Sequence, residues 1–203
     1  MKKVFIEIER LINENKEYLG KLDGALGDGD IGVTTNKGFS NINKELKSKN
    51  IQDFKDFFSL CGFTLSEKAP STIGTLLGFS FLKASMNFNG VTNITEEEMF
   101  VLFSSMSEEI KKKGNAKEGD KTILDSLIPA VKSLEKDLNK NLNLNVIIKN
   151  AFYASEKGML NTINMMSNKG RSARYLEDSI GKQDPGATVS KIIFEGLHNY
   201  ISN

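Results

Sequence analysis

Three aspartates lie close together in a glycine-rich segment near the N-terminus, which reads LDGALGDGDIG from Leu22 to Gly32. Carboxylates this crowded repel one another unless a cation lies between them. Hard divalent cations prefer carboxylate oxygen, and Mg²⁺ usually completes its octahedral shell with waters and phosphate oxygens. Asp23, Asp28 and Asp30 are therefore predicted to bind metal and, through the metal, the phosphates of a ligand.

The charge balance of this segment favours a nucleotide with two magnesium ions. Three aspartates and the roughly three or four negative charges of ADP or ATP are better neutralised by two divalent ions than by one. A helix is predicted to follow, and Asp30 is placed to cap it. The unpaired first-turn amides of that helix, which includes Gly32 and Thr34, would point towards a phosphate. Metal and helix end are thus expected to act together.

Other motifs with similar composition fit the spacing poorly. The glycines match the dinucleotide fingerprint G-x-G-x-x-G, but that motif follows a strand, and here an amphipathic helix is predicted before it. A calcium-binding EF-hand starting at Asp28 needs glycine and a carboxylate where Val33 and Phe39 stand. A P-loop needs Ser or Thr directly after Lys37, which glycine follows instead. A plain Asp/Gly turn between two helices stays the alternative.

Composition gives no indication of a nucleic-acid, strongly charged or membrane partner. The chain has 203 residues, one cysteine (Cys61), and 27 basic against 26 acidic residues, for a net charge of +1. Near-neutral charge gives no reason to expect nucleic acid or another strongly charged partner. A single cysteine cannot form an internal disulfide, and neither a leader pattern nor a membrane span is indicated. We expect a single cytoplasmic domain that has no membrane partner.

The elements that must position the aspartates are predicted to be helical. Apolar residues recur at helical spacing, most clearly between Ile123 and Leu138. Eight helices are predicted, at 3–19, 31–47, 53–69, 73–88, 95–113, 121–139, 144–166 and 185–201. The fold class is therefore all-α, and short connections favour antiparallel neighbours packed as a bundle or ring. Two longer polar connections, 20–30 and 167–184, are the expected functional loops.

Four further segments have no unique interpretation when each is considered alone. Gly-Asp-Lys-Thr at 119–122 is typical of a helix cap formed by its aspartate or threonine. Asp184 is a typical cap as well, with Pro185 at the first helical position. Arg171 is either a solvated cation or a partner for phosphate. Glycines within 71–78 let the backbone approach a ligand or let two helices approach each other.

Taken together, these segments resemble the nucleotide-binding L subunit of dihydroxyacetone kinases over nearly the whole chain. The family's Leu-Asp-x4-Asp-x-Asp is matched at 22–30, its Gly/Ser-rich helix start at 70–78, and its Gly-Asp-Lys-Thr at 119–122. Its Ser-Ile-Gly-x-Gln-Asp-Pro-Gly-Ala ending is matched at 179–187. The resemblance implies one L-type nucleotide-binding kinase domain over 1–203, folded as an antiparallel eight-helix barrel with the nucleotide site at one end.

The resemblance also assigns roles to individual residues. It implies two Mg²⁺ ions held by Asp23, Asp28 and Asp30, which with Arg171 form the catalytic set. It implies ADP or ATP contacts at Ile31, Gly32, Val33, Thr34, Thr72, Ile73, Gly114, Ile123, Arg171, Asp184, Pro185 and Gly186.

The phosphate pocket departs from the family pattern at several of these positions. Ile31 stands where the family usually has histidine, and Thr34 where it commonly has asparagine. The family's Gly-Gly-x-Ser-Gly is replaced by Pro-Ser-Thr-Ile-Gly at 70–74, so that Thr72 is the residue able to replace the missing hydroxyl. Ile123 replaces a methionine that packs on adenine in relatives, which is a conservative change.

The implied activity is phosphoryl transfer to dihydroxyacetone bound on a separate K subunit. A free-standing L chain resembles systems in which bound ADP is rephosphorylated by a phosphocarrier M subunit of the phosphotransferase system; exchange with ATP is the other version. The alternatives are a degenerate paralogue that binds nucleotide as a regulatory or adaptor subunit, and a kinase for another small keto-sugar or a fatty acid. A homodimer is left open.

Overall fold

A computed structural model describes residues 1–138, 140 and 142–202 of the chain. Its α-helices are α1 (Lys2–Glu14), α2 (Lys16–Gly24), α3 (Ile31–Ser48), α4 (Phe54–Lys68), α5 (Thr72–Ser85), α6 (Glu96–Gly114), α7 (Leu124–Asp137), α8 (Leu144–Asn161) and α9 (Pro185–Ser202). Two 3₁₀ helices cover Thr162–Asn164 and Arg171–Ser179. The predicted all-α class is confirmed.

Eight of these nine helices form a closed ring. From α3 onwards each helix packs against the next, and α1 packs against both α3 and α9. The start of α1 meets the ends of its two neighbours, since Lys2 Nζ donates to the Leu46 carbonyl (2.8 Å) and Asn199 Nδ2 donates to Glu7 Oε1 (3.1 Å). The predicted antiparallel eight-helix barrel is therefore confirmed, and α2 is an additional helix packed on α3 and α9.

The prediction of a single helix over 3–19 is wrong, because the helix is interrupted at Asn15. α1 ends at Asn15, whose backbone has φ −95° and ψ 5° and whose Nδ2 donates to the Leu11 carbonyl (2.8 Å) that also accepts the Asn15 amide (3.0 Å). The Asn15 carbonyl then accepts the Leu19 amide (2.8 Å) as α2 begins. Asparagine side chains compete for backbone partners in this way. Because α2 extends to Gly24, the first part of the predicted connection 20–30 is helical.

The other predicted bounds agree with the structure to within one residue except at four ends. The helix predicted over 73–88 ends at Ser85. The helix predicted over 121–139 begins at Leu124 and ends at Asp137, and Asn139 itself lies outside the described residues. The helix predicted to reach residue 166 ends at Asn161, where the chain tightens into a 3₁₀ turn. The polar connection 167–184 contains the 3₁₀ helix Arg171–Ser179, which apolar periodicity does not reveal.

A continuous apolar core fills the ring. It includes an aromatic cluster in which the Phe58 ring lies 6.1 Å from Phe81 and 5.0 Å from Phe88, between ring centroids. Burying one such side chain stabilises a fold by about 1.5–3 kcal/mol. Because the helices alternate in direction, α3, α5, α7 and α9 all begin at one end of the barrel. Among the described helices, none is both long and apolar enough to cross a membrane.

Candidate functional site

A cavity of about 750 Å³ opens at the end of the barrel where α3, α5, α7 and α9 begin. This volume lies within the range of small-molecule sites, roughly 300–1,000 Å³. One part of its lining is polar and contributed by Asp23, Asp28, Asp30, Ser71, Thr72, Lys121, Thr122, Lys169, Arg171 and Asp184. The apolar part includes Ile31, Ile73, Leu76, Phe79, Ile110, Ala116, Ile123 and Pro185.

The aspartate turn, residues 23–30, brings its three carboxylates together at the mouth of this cavity. Within the described residues, Asp23, Asp28 and Asp30 each offer an oxygen within 4.8 Å of the others. Gly29 makes the turn feasible, because its φ of 78° is strained for a residue with a Cβ. Asp28 and Asp30 are exposed and Asp23 is half-buried. Three converging hard oxygen donors suit Mg²⁺, so the arrangement fits the predicted metal.

The first turn of α3 is capped from α2 rather than by its own preceding residue. Asp23 Oδ2 accepts the amides of Asp30 (2.9 Å) and Ile31 (3.3 Å). Asp30 occupies the N-cap position but makes no side-chain cap hydrogen bond. The expectation that Asp30 caps this helix is therefore wrong, because the Asp23 carboxylate already takes that place. The Asp30 carboxylate stays available to a cation.

Arg171 reaches the aspartate turn from the far part of the chain. Its Nη1 donates to Asp28 Oδ2, although 143 residues separate them in sequence. The arginine follows Gly170, whose φ of 68° redirects the backbone at the start of the 3₁₀ helix. Both side chains are largely exposed, at 61% for Arg171 and 42% for Asp28. A guanidinium in this position can pair with phosphate oxygens beside the carboxylates.

The apolar wall is built mainly by α5 and α6 and suits a flat heterocycle. Leu76 and Phe79 lie three residues apart, on one face of α5, and Lys113 Nζ lies 4.6 Å from the centroid of the Phe79 ring. Sequence reasoning missed these three residues. The signal was present in the i, i+3 spacing of apolar residues along a helix that begins at a candidate site.

The structure brings together nine of the twelve predicted nucleotide contacts. The lining includes Ile31, Thr72, Ile73, Gly114, Ile123, Arg171, Asp184, Pro185 and Gly186, whereas Gly32, Val33 and Thr34 lie outside it. A Cβ on Gly32 would collide with the Lys16 carbonyl, the Val33 side chain is exposed, and Thr34 Oγ1 donates to the Asp30 carbonyl (2.9 Å). Any role of these three in binding stays a prediction.

The glycines near the start of α5 serve helix packing. A Cβ on Gly74 would collide with the Ala69 carbonyl, and one on Gly78 with the Ser66 hydroxyl of α4. Of the two readings left open for this segment, close helix approach is therefore the one that the geometry favours. Ser71 caps α5 by accepting the Gly74 amide (3.2 Å), which leaves Thr72 exposed at the cavity.

Asp184 forms the cap of α9, as predicted. Its Oδ2 accepts the Ala187 amide (2.6 Å), and Pro185 is the first helical residue. The Asp184 amide in turn donates to Thr162 Oγ1 (3.0 Å), which links this cap to the end of α8. Burial raises the pKa of Asp184 to about 7, although the Ala187 hydrogen bond acts in the opposite direction.

The start of α7 depends on Asp125, which sequence reasoning missed. Its two oxygens accept the amides of Gly119 (2.6 Å) and Thr122 (2.7 Å). Thr122 Oγ1 accepts the Leu124 amide (3.2 Å), so the threonine contributes to the cap as predicted. The carboxylate of Asp120 instead accepts the Lys117 amide in the preceding turn (2.9 Å). Burial raises the pKa of Asp125.

Comparison with known proteins finds a family model and relatives that match most of the chain. The family model described as the DAK2 domain matches residues 25–199. The ADP-binding subunit DhaL of a PEP-dependent dihydroxyacetone kinase from Escherichia coli K12 is 33% identical over 187 residues, which covers 92% of this chain and 89% of that protein. The ADP-binding subunit DhaL of a PTS-dependent dihydroxyacetone kinase from Lactococcus lactis is 33% identical over 186 residues, with 92% and 88% covered.

Solved structures share the same barrel. The dihydroxyacetone kinase of C. freundii superimposes with a TM-score of 0.77 over 98% of this chain, at 23% sequence identity. The match covers 34% of that longer protein. A second structure of the same kinase, in complex with AMP-PNP and Mg²⁺, also has a TM-score of 0.77. At this level of identity the likeness establishes the fold.

Proposed function

The chain belongs to the DAK2 domain family, and we propose that it is the nucleotide-binding subunit of a dihydroxyacetone kinase. The observation that carries this proposal is the meeting of Asp23, Asp28, Asp30 and Arg171 at the mouth of a cavity with an apolar wall. A nucleoside diphosphate or triphosphate combines the two chemistries that this site offers. Its phosphates suit these four charged side chains, called here the charged rim, and its base suits the apolar wall.

The charged rim would bind and orient the phosphates. Asp23, Asp28 and Asp30 would hold two Mg²⁺ ions, which when bound supply positive charge that neutralises phosphate oxygens. Arg171 can donate two parallel hydrogen bonds to a phosphate from the opposite side of the turn. Phosphoryl transfer requires mainly alignment and neutralisation of charge, so these residues suffice without a protein nucleophile.

The apolar wall would bind the base and exclude water from it. Ile123 and Ile73 are buried and line the cavity, and Leu76 and Phe79 extend the same surface along α5. Stacking and dispersion contacts of this kind orient an aromatic ring without reading its polar edge. Gly114 and Gly186 line the cavity as well. A Cβ on Gly186 would lie 3.1 Å from Asp184 Oδ2, so this glycine lets α9 begin close to the cap and to Ile123.

The acceptor and the phosphoryl donor would lie on other subunits. We infer that dihydroxyacetone is bound by a separate K subunit, and that bound ADP is recharged by a phosphocarrier M subunit. Relatives named as ADP-binding subunits of PEP-dependent and PTS-dependent kinases support this version, since those names describe multi-subunit enzymes. Exchange of ADP for ATP is the alternative route of recharging.

Calorimetry of ADP binding with and without magnesium tests the site. We expect the wild-type protein to bind ADP only with Mg²⁺, and Asp28→Ala or Asp30→Ala to weaken binding by at least about 100-fold, which is near the lower end of the roughly 2–5 kcal/mol that losing a charged, hydrogen-bonded contact costs. Asp178→Ala, which changes an exposed aspartate outside the cavity lining, is the matched control. Unchanged affinity in the Asp28 and Asp30 variants, with the helical circular dichroism intact, would contradict the metal assignment.

A second candidate function is motivated by two isoleucines in the phosphate region. Ile31 and Ile73 are buried, line the cavity and stand where relatives carry smaller or polar groups, so the chain could bind nucleotide as an adaptor without transferring phosphate. An assay with a cognate K subunit, Mg²⁺ and either ATP or a phosphorylated carrier separates the two functions. Formation of dihydroxyacetone phosphate supports the kinase; ADP binding without product supports the adaptor.

A further inference from the structure

Lys121 lines the cavity, but its ammonium group is directed into the protein. Only 1% of the residue is exposed, and Nζ donates to the carbonyls of Met165 (3.0 Å) and Ser179. These carbonyls lie at the two ends of the Arg171 loop, defined here as residues 165–181. We propose that Lys121 is a positioning residue that closes the neck of this loop and thereby holds Arg171 over the aspartate turn. The inference rests on the proposed nucleotide site.

The neck of the Arg171 loop is the place where its two ends meet. Three backbone amides close it beside the lysine: those of Ser167, Gly181 and Asn168 donate to Ser179 Oγ (2.8 Å), the Ile163 carbonyl (2.7 Å) and the Asp120 carbonyl (3.1 Å). The first bond joins the two ends of the loop to each other, and the second joins its last residue to the 3₁₀ turn that precedes the loop. The third joins the loop to the segment before α7, which also carries Lys121.

A buried lysine is costly at this position, which argues for a specific role. An ammonium group removed from water must regain hydrogen bonds, and the two carbonyls supply them. Burial lowers the pKa of Lys121, whereas the negative charge of Asp184 acts in the opposite direction. The Lys121 backbone also has a φ of 61°, a left-handed conformation that is unfavourable for residues with a Cβ. Such conformations cluster at functional sites.

The neck, rather than the tip, must hold the loop in place. At the tip, Arg171 contacts Asp28 through an ion pair between two largely exposed side chains, and exposed pairs of this kind stabilise little. The lysine bonds are shielded from water and connect both ends of the loop to the segment before α7. If the neck opened, the guanidinium would lose its fixed distance to the carboxylates, and misplacement by about 1 Å can reduce activity by about 100-fold.

Hydrogen exchange in the ligand-free protein tests the neck directly. In Lys121→Met we expect the neck amides of Ser167, Asn168 and Gly181 to exchange at least about tenfold faster than in the wild type, because local opening there becomes easier. Amides in the middle of α7 and α9 should not change. Lys132→Met is the matched control, since Lys132 is an exposed lysine on α7 that pairs with Glu118 (2.6 Å). Unchanged exchange at the neck overturns the proposal.

Affinity for ADP with Mg²⁺ tests whether Lys121 acts through Arg171. We expect Lys121→Met to weaken binding by about tenfold, the lower range for residues that orient a ligating group. The double variant with Arg171→Gln should bind no more weakly than Arg171→Gln alone, because the misplaced group is already absent. Losses that multiply would mean that Lys121 acts independently of Arg171, and they overturn the proposal.

Two further outcomes separate this inference from the proposed function. If the wild type does not bind ADP, the proposed function fails, while the exchange experiment still decides the role of Lys121 in the loop. If Lys121→Met does not fold, exchange is measured in the wild type alone. The proposal then requires slower exchange at the neck amides of Ser167, Asn168 and Gly181 than at Ser172 and Ala173 within the loop, and equal rates overturn it.

Discussion

Two groups of charged side chains lie at the same end of the barrel and are built on opposite principles. The aspartate turn gathers three charges of one sign, and two of its carboxylates are exposed. The buried charge cluster, defined here as Lys121, Asp125 and Asp184, mixes both signs and is almost inaccessible. Its members are satisfied by the backbone of the protein itself. The first group therefore gains from an external cation, and the second gains nothing further from a ligand.

The difference shows which property marks a ligand-binding carboxylate. Asp125 and Asp184 are close to the site, but their oxygens accept backbone amides that start α7 and α9. Asp30 has the same side chain at a helix start and makes no cap hydrogen bond, because Asp23 supplies the cap. Buried carboxylates whose oxygens accept backbone amides serve the fold, and carboxylates that keep an accessible oxygen suit a ligand. Asp23 combines both properties, because its Oδ2 caps α3 while the half-buried side chain still offers an oxygen to the group of three.

The largest expected effect on stability separates the two groups. Asp125→Ala leaves the amides of Gly119 and Thr122 without their acceptor, so we expect the free energy of unfolding to fall by about 2–3 kcal/mol. Asp28→Ala, which removes an exposed carboxylate, should change it by less than about 0.5 kcal/mol. Denaturant unfolding without metal measures both values. Equal losses in the two variants would mean that the aspartate turn is structural.

The same contrast explains what the sequence could predict. The aspartate turn was predictable because its three carboxylates lie within eight residues. Their spacing alone excludes the dinucleotide, EF-hand and P-loop motifs. The predicted cap at Asp184 depends on a neighbour three residues away and is equally local. Helix periodicity and short connections predicted antiparallel neighbours packed as a bundle or ring, and they succeeded because from α3 onwards each helix packs against the next in sequence.

Features that depend on distant contacts were not predictable in this way. The break at Asn15 was missed for a different reason: the bond of its side chain to the preceding turn is local, but asparagine is also tolerated within helices, so its type alone does not predict a break. Lys121 bonds to residues 44 and 58 positions away, so no local pattern distinguishes it from a solvated lysine. Phe79 and Lys113 meet only because α5 packs against α6.

The pH dependence of stability tests whether Asp184, in the buried charge cluster, is as shielded from water as its burial indicates. Its pKa of about 7 in the folded protein lies above its usual value of 3.8, because burial and the charge of Asp125 outweigh the charge of Lys121. The folded protein thus keeps a proton that the unfolded chain loses as pH rises from about 4 to 7. The contribution of this group to the free energy of unfolding therefore falls through that window and stays low above it.

Asp184→Asn should remove this contribution, since the amide oxygen can still accept the Ala187 hydrogen bond but carries no charge. Between pH 6 and pH 8 we expect the wild type to lose about 1–2 kcal/mol more of its free energy of unfolding than the variant, because about one pH unit separates pH 6 from the folded pKa of about 7 and each unit is worth about 1.4 kcal/mol. Denaturant unfolding at the two pH values gives the difference. Identical pH profiles would mean that Asp184 ionises like an exposed aspartate and that the cluster is more hydrated than its burial indicates.

The smallest expected effect on stability concerns Arg171, which connects the two groups. Its ion pair with Asp28 is largely exposed, so Arg171→Gln should change the free energy of unfolding by less than about 1 kcal/mol in the metal-free protein. The same substitution should weaken binding of ADP with Mg²⁺ by at least about tenfold, because a phosphate would lose a charged, hydrogen-bonding partner. Paired denaturant and calorimetric measurements compare the two effects. A large loss of stability with unchanged affinity would assign Arg171 to the structural group, whereas the expected pattern places it with the aspartate turn, as a residue held by the fold for a ligand.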